Sequence, residues 1–242
     1  MNNVIRQLIK RKSVRVFTKK PITPQQTSAI LEAAVNAPTA GNQQLYTIIN
    51  VTDADLKQKL AKSCDDQPFI AKAPLVLVFC ADCRKWYNAF LEYDCEPRKP
   101  GVGDLMLAVS DANIAAQNAV VAAQSLGIGS CYIGDIMENA EIQKELLSLP
   151  RYVFPAAMLV FGYPTKQQKD RQKPPRSAMH HIVHDNSYRD MNKNELKQML
   201  LKNSSATDFD KWIKAFCKRK YNSDFSREMT RSVEVFLKDF SK

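Results

Sequence analysis

Motifs that mark many common active sites are missing from this chain of 242 residues. It contains no G-x-S-x-G nucleophile elbow, no H-E-x-x-H zinc motif, no P-loop and no G-x-G-x-x-G dinucleotide fingerprint. Its acidic residues form no convincing pair for hydrolysis. The chain is therefore expected to be either a binding protein or an enzyme whose cofactor carries the reaction.

Cysteine and histidine are present, but they predict neither disulfides nor a metal site. The six cysteines are scattered through a long chain, which argues against a disulfide framework and favours a reducing compartment. Cys80 and Cys83 form a C-x-x-C pair without a second pair, and Cys80 ends the apolar run 75–79, which predicts a buried strand residue. No carboxylate or cysteine completes a metal site with the three histidines, His180, His181 and His184.

No uninterrupted apolar run reaches the roughly 20 residues that span a bilayer. The alanine-rich stretch 107–128 comes nearest, but four polar residues interrupt it: Asp111, Asn113, Gln117 and Asn118. The first ten residues mix charged and apolar side chains, which is not typical of a secretory signal. We therefore expect a cytoplasmic protein without a membrane partner.

The chain is strongly basic, with a formal net charge of +10. Its positive residues concentrate around 166–176 and 211–231. Neither cluster shows the interleaved aromatic residues of a single-strand binder or a helix-turn-helix pattern, so nucleic acid is not the expected partner. Solvated surfaces explain the clusters most simply, and phosphate-bearing cofactors are the more specific alternative.

Apolar periodicity predicts helices that alternate with strands. A helix start is clear at Thr23-Pro24-Gln25-Gln26, where threonine caps, proline takes the first helical position and Gln26 completes a capping box. The buried face of that helix is predicted to contain Ile30, Leu31, Ala34 and Val35. Further helices are predicted at 2–10 and 104–125 and at a segment beginning near Asn139, and strands at 46–51, 75–80 and 153–162. This alternation indicates a mixed sheet covered by helices.

The predicted helix 104–125 is small and apolar almost all round. Alanines recur at 108, 112, 115, 116, 119, 122 and 123. Such a helix must be buried, either between a sheet and another helix or across a dimer interface. Its polar residues then need partners there, which two subunits could supply.

Three stretches carry the strongest functional signal. In Arg11-Lys12-Ser13-Val14-Arg15, two arginines flank a serine where a helix gives way to an extended run, and bidentate guanidinium donors are typical of phosphate binding. A basic surface turn is the simpler interpretation of this motif taken alone. The second stretch is the polar loop 37–44, and the third is the small-residue helix and glycine-spaced turn 112–135.

In this order and spacing, the three stretches resemble the flavin-dependent nitroreductase/flavin reductase family, closest to its oxygen-insensitive, NADPH-preferring branch. The resemblance extends over roughly residues 5–189. It implies an α+β fold with a mixed, mostly antiparallel central sheet, flanking helices and a long buried helix at a homodimer interface. We expect an FMN-binding domain at 1–190 and a helical, basic extension at 191–242, packed on the same domain or on the partner subunit.

The resemblance also implies how FMN is held by its phosphate. Arg11, Ser13 and Arg15 would bind the phosphate and the nearby ribityl oxygens. Arg176 would reach the same phosphate, with Lys173 as a less certain helper. Two or three positive side chains would then oppose a phosphate charge of about −2. The family's Lys-Pro-Arg spacing is stretched here to Lys-Pro-Pro-Arg. This departure weakens the assignment of Lys173 to the phosphate more than that of Arg176.

Around the isoalloxazine ring, the resemblance assigns a second set of residues. Gln67 would hydrogen-bond the polar edge of the ring. Tyr132, Gly134 and Asp135 would lie beside it, with backbone amides facing N5. The partner subunit would contribute three polar residues: Thr39, Asn42 and Gln44.

Two positions near the ring depart from the family pattern. Alanine stands at position 40, where relatives often carry a hydroxyl, so one cofactor hydrogen bond is expected to be absent. Aspartate stands at position 135, where close relatives have glycine. An ionised carboxylate there would lower the flavin's reduction potential.

The implied reaction is ping-pong hydride transfer from NADPH through FMN to nitroaromatics, quinones or free flavin. No side chain is assigned a catalytic acid or base role, because the cofactor carries the chemistry. Candidates for binding the NADPH 2′-phosphate are Lys218, Arg219, Lys220 and Arg227, which could equally be a solvated basic surface. The alternatives are a dehalogenase or flavin-modifying enzyme of the same fold, and a non-enzymatic basic module that binds phosphate or nucleic acid.

Overall fold

The computed structural model describes residues 1–201 and 208–241. Within them, the strands are β1 (Tyr46–Asn50), β2 (Leu75–Asp82), β3 (Gly129–Ile133) and β4 (Val153–Gly162). The helices up to β3 are α1 (Asn3–Lys10), α2 (Pro24–Val35), α3 (Ala54–Ser63), α4 (Pro68–Ala71), α5 (Arg84–Glu92) and α6 (Val102–Ser125). Those after β3 are α7 (Ala140–Leu146), α8 (Lys166–Asp170), α9 (Lys193–Leu201), α10 (Phe209–Lys220) and α11 (Asp224–Leu237).

The strands form one antiparallel sheet in the order β1-β2-β4-β3. Its two central strands, β2 and β4, are buried at every position. Their nearly continuous apolar sequences reflect this burial, because a strand covered on both faces needs no alternation of polar residues. The predicted α+β class, with a mostly antiparallel sheet flanked by helices, is confirmed.

Helix α6 lies in the core and contacts β2, β4 and α2. Its alanines explain this position, since a row of them is fully buried: Ala108, Ala112, Ala115, Ala116, Ala119 and Ala123. Among the described residues, α6 is long and apolar enough to cross a membrane by length and composition alone, but this buried row is what a core helix requires.

The polar residues of α6 find partners inside this subunit, although the sequence suggested that two subunits could supply them. The buried carboxylate of Asp111 accepts hydrogen bonds from the backbone N–H groups of Ala40, at 3.0 Å, and Leu45, at 3.2 Å. Asn118 Nδ2 donates to the carbonyl oxygen of Ala33 at 3.1 Å. Asp111 therefore anchors the polar loop 39–44 to the core.

Two local predictions were wrong. Val35 was expected on the buried face of α2, yet it is 53% exposed, because the apolar stripe is wider than the surface that the core covers. Asn139 stands at the start of α7, but its φ is 50° and its side chain does not cap the helix. Side chains from α11 accept the N–H groups there instead.

The chain forms two compact units. One contains Met1–Arg171 and Glu228–Lys242, and the other contains Gln172–Arg227. In the second unit, the aromatic rings of α10 form a row, with centroid distances of 5.6 Å from Phe209 to Trp212 and 5.2 Å from Trp212 to Phe216. The domain division predicted at residues 190 and 191 stays a prediction.

Candidate cofactor site

The arginine-serine-arginine segment lies in extended conformation beside the edge strand β3. Ser13 forms a parallel bridge with Ser130, and the Val14 N–H donates to the Ser130 carbonyl oxygen at 2.9 Å. Glycine permits this approach, because a Cβ at Gly129 would lie 2.5 Å from Val14 Cγ2. The glycine-spaced turn that the sequence singles out therefore determines how closely the predicted phosphate-binding segment lies to the sheet.

Arg11, at the end of α1, presents an unsatisfied donor. Its Nη1 atom is buried and has no hydrogen-bond partner among the residues that the structure describes. The side chain lines a small cavity between α1 and α6. Burial raises the pKa of Tyr132 to about 12, and the nearby Arg11 guanidinium opposes that rise. A buried guanidinium N–H without an acceptor is costly, and an anionic oxygen would satisfy it.

Arg15 lies between two other segments. Its backbone N–H donates to Gln168 Oε1 at 3.2 Å, and its guanidinium carbon is 5.9 Å from the ring centroid of Phe69. Phe69 is two residues beyond Gln67, whose Nε2 donates to the Cys64 carbonyl oxygen at 2.9 Å. The fold therefore brings Arg15 close to the loop that contains Gln67.

Arg171, which no sequence motif singled out, is a neighbour of this segment. Its Nη2 donates to the Ser13 carbonyl oxygen at 2.7 Å. Lys12 Nζ donates to the carbonyl oxygens of Lys169 and Arg171 at the end of α8. The available signal was the basic cluster 166–176, but nothing in the sequence distinguishes Arg171 from its neighbours there.

The turn after β3 contains the residues predicted to lie beside the flavin ring. The Tyr132 hydroxyl donates to Gln117 Oε1 at 3.3 Å. Gly134 is exposed, and a Cβ there would meet no atom of the described residues within 4 Å, which leaves open space above it. Asp135 is half-buried in the 3₁₀ turn Gly134–Met137. Behind this turn, Asn139 Nδ2 donates to the Ser63 carbonyl oxygen at 2.9 Å, which ties it to the end of α3, just before the loop that contains Gln67.

The residues Arg11 to Arg15, Gln67 and the Gly134 turn have the chemistry that FMN requires. Guanidinium and hydroxyl groups suit its phosphate, and the unsatisfied Nη1 of Arg11 provides a donor for an anion. The open surface at Gly134 leaves room for a ring close to the backbone.

A match to a known family covers these segments. Residues 8–163 match the Nitroreductase family, and this range includes the Arg11 segment, the 39–44 loop, Gln67 and the Gly134 turn. The chain belongs to the nitroreductase family. The resemblance identified from the three sequence stretches is therefore confirmed.

Individual relatives extend the similarity over most of the chain. An FMN reductase (NAD(P)H) from Bacillus subtilis is 32% identical over 98% of this chain and 91% of its own length. An oxygen-insensitive NADPH nitroreductase from Salmonella typhimurium is 34% identical over 88% of each chain. The solved structure of NADPH:FMN oxidoreductase from Vibrio harveyi, complexed with NAD+, superposes with a TM-score of 0.78 at 26% identity and covers 98% of both chains.

The polar loop 39–44, which is predicted to reach the partner subunit's flavin, projects outward. Asn42 and Gln44 are exposed, and both have positive φ angles, of 56° and 51°. Thr39 Oγ1 accepts the Gln44 N–H at 3.1 Å. Trp86 Nε1 donates to the Gln43 carbonyl oxygen at 2.6 Å, at the rim of an aromatic cavity of about 420 Å³. The loop is thus fixed through its backbone, while the side chains of Asn42 and Gln44 face solvent.

The remaining predicted residues lie in the compact unit Gln172–Arg227. Arg176 is exposed and Lys173 is half-buried. Three of the 2′-phosphate candidates, Lys218, Arg219 and Lys220, form the exposed last turn of α10, where positive charge also complements the helix dipole. Arg227 Nη1 lies 3.6 Å from Asp224 Oδ1. The roles of these residues stay predictions.

Proposed function

We propose that this chain is an FMN-dependent NAD(P)H oxidoreductase that reduces nitroaromatics, quinones or free flavin. The observation that supports the cofactor best is the buried Nη1 of Arg11, which has no partner in the described part of the chain and lies within the family's matched region. Support for the reaction comes from the relatives, which are named as FMN reductases and NADPH nitroreductases. Support for the flavin position comes from the open surface at Gly134.

The residues of this chain bind and orient the cofactor. Arg11, Ser13 and Arg15 hold the FMN phosphate, and Arg171 fixes the Ser13 backbone from the other side. Gln67 faces the polar edge of the ring; the backbone amides of the Gly134 turn face N5. When bound, FMN supplies the centre that accepts a hydride and later passes it on. The protein contributes position and electrostatics.

The proposal includes a homodimer. Two helices expose apolar side chains: Val4, Ile5, Leu8 and Ile9 on α1, and Val102, Met106, Leu107 and Ile114 on α6. A second copy of the chain would cover these surfaces. Thr39, Asn42 and Gln44 would then reach the partner's flavin, so each site would need both subunits. Size-exclusion chromatography with light scattering tests the assembly.

NADPH is the proposed hydride donor, and Lys218, Arg219, Lys220 and Arg227 are the proposed contacts for its 2′-phosphate. A cytoplasmic location is part of the proposal, supported by the six cysteines, all of which are free thiols. Burial raises the pKa of Cys64, Cys80 and Cys83 to about 12, so these thiols stay protonated and unreactive.

An absorbance spectrum of the purified protein, recorded before and after anaerobic addition of NADPH, tests the central claim. We expect flavin bands in the near-ultraviolet and blue regions that bleach on addition. A protein that stays colourless after incubation with FMN would overturn the proposed function.

A further inference from the structure

Glu138 occupies an unusual position at the end of the flavin-facing turn. It follows the 3₁₀ turn Gly134–Met137, and its backbone N–H donates to the Asp135 carbonyl oxygen at 3.0 Å. The residue is only 5% exposed, and its Oε1 is buried without a hydrogen-bond partner in the described part of the chain. Burying an ionised carboxylate without a partner costs much more free energy than burying the protonated carboxylic acid.

The charges that act on Glu138 are all negative. They come from Asp135 in the same turn, Asp65 in the loop that contains Gln67, and Glu228 on α11. Burial raises the pKa of Glu138 to about 7, and these three carboxylates add to the rise. The acid form therefore persists up to neutral pH.

The cations on the neighbouring helices do not neutralise the negative charge around Glu138, and the nearby thiol is uncharged. On α11, Arg231 Nη2 lies 2.8 Å from Glu228 and 2.9 Å from Glu141. On α7, Lys144 is 2.8 Å from Asp239. The Cys64 thiol beyond α3 is neutral, because burial raises its pKa to about 12, and β4 is lined by apolar residues where it contacts the turn.

The two residues that follow Glu138 are held by three hydrogen bonds. Asn139 N–H donates to Glu228 Oε1 at 3.1 Å, and Ala140 N–H donates to Ser232 Oγ at 3.0 Å. The third is the bond from Asn139 Nδ2 to the Ser63 carbonyl oxygen. These contacts fix the chain next to Glu138, whose carboxyl is close enough to Asp135 and Asp65, in the two segments assigned to the flavin ring, for their charges to raise its pKa.

Building on the proposed function, we propose that Glu138 is a positioning residue that holds a proton behind Asp135 and so sets the negative charge facing the flavin. Hydride transfer from NADPH brings two electrons and one proton into the site and leaves NADP+. The added negative charge strengthens proton binding at Glu138, which takes one proton from solvent when it is ionised before the transfer. Lowering the pH should therefore raise the reduction potential of bound FMN by more than protonation of the flavin alone would.

The reduction potential of bound FMN in the holoenzyme tests this role. It is measured by dye equilibration from about pH 5.5 to about pH 8.5, which brackets the Glu138 titration. The variants are Glu138→Gln, Glu138→Asp and, as the matched control, Glu145→Gln on an exposed position of α7. We expect Glu138→Gln to match the wild type at acidic pH and to have the more positive potential at alkaline pH. Glu145→Gln should follow the wild type throughout, and Glu138→Asp should restore the pH-dependent difference.

Thermal unfolding of the apoprotein provides a readout that needs no flavin. Because the folded pKa lies above the ordinary value of 4.5, the wild type binds its proton more tightly when folded. Relative to Glu138→Gln, its melting temperature should therefore fall as the pH rises from about 4.5 to about 7, and then stay constant. Glu145→Gln should show no such trend.

The possible outcomes separate the two proposals. A protein without a flavin spectrum would overturn the proposed function. A flavin-loaded protein in which Glu138→Gln shifts the potential equally at every pH, or not at all, would overturn the Glu138 inference alone. An apoprotein whose melting difference does not change with pH would also overturn it, because Glu138 would then hold no proton.

Discussion

The Arg11 segment and the Gly134–Asn139 turn leave opposite kinds of buried atom without a partner among the residues that the structure describes. At the first, the unsatisfied atom is a donor, Nη1 of Arg11; at the second it is an acceptor, Oε1 of Glu138. A cationic donor suits the phosphate of a ligand, whereas a carboxyl surrounded by carboxylates suits a proton. Under the two proposals, one region of the cofactor site binds the ligand and the other adjusts the charge that faces it.

Removing the donor should produce the largest effect. We expect Arg11→Met to weaken FMN binding about 100-fold, since a charge-assisted hydrogen bond contributes up to about 3 kcal/mol. Titration of FMN fluorescence against the apoprotein measures the dissociation constant. Arg6→Met, on an exposed position of the same helix, should leave it unchanged. Equal affinities for the two variants would contradict the phosphate assignment.

Displacing the donor segment should have the next largest effect. Gly129→Ala places a methyl group 2.5 Å from Val14 Cγ2 and should destabilise the fold by about 2 kcal/mol. Urea unfolding measures the loss. Gly103→Ala in α6 meets no atom within 4 Å and should be neutral or slightly stabilising. Adding Val14→Ala to Gly129→Ala should recover part of the loss, and the absence of any recovery would argue against this contact.

Weakening the contacts that hold the Gly134–Asn139 turn tests the second region. Ser232→Ala removes the acceptor of the buried Ala140 N–H and should cost about 1 to 2 kcal/mol of unfolding free energy. Urea unfolding again provides the measurement. Ser125→Ala, which removes an exposed hydroxyl at the end of α6, is the matched control and should be nearly neutral. A neutral Ser232→Ala would mean that α11 does not hold the turn.

The smallest effect is expected at Glu141, the exposed carboxylate bound by Arg231. That contact lowers the pKa of Glu141 to about 2, so its stabilisation is present above about pH 4.5 and fades as the pH falls towards 2. Because the pair is exposed, Glu141→Gln should cost less than about 1 kcal/mol at neutral pH. Chemical unfolding at neutral and acidic pH measures this difference, and a larger loss at acidic pH would contradict it.

Local sequence signals predicted a helix start and a strand correctly, but they missed the caps of the second region. The capping box at Thr23 is present, with the Gln26 N–H donating to Thr23 Oγ1 at 3.2 Å and Gln26 Oε1 accepting the Thr23 N–H at 3.1 Å. The strand predicted at 153–162 forms over that range as β4. In the second region, Asn139 resembled a helix cap, but the caps are Glu228 and Ser232, about 90 residues later. No local pattern connects positions so far apart.

The sequence by itself determined the elements and the family. Periodicity and caps depend on neighbouring residues, and the order of three short motifs can be read directly from the sequence. Only the tertiary structure decided which buried polar atoms stay unsatisfied, because that depends on every segment packed around them. It placed Arg171 beside Ser13 and Glu138 among carboxylates from three separate parts of the chain. Charge in a folded site is set by burial and by long-range neighbours, and neither can be read from adjacent residues.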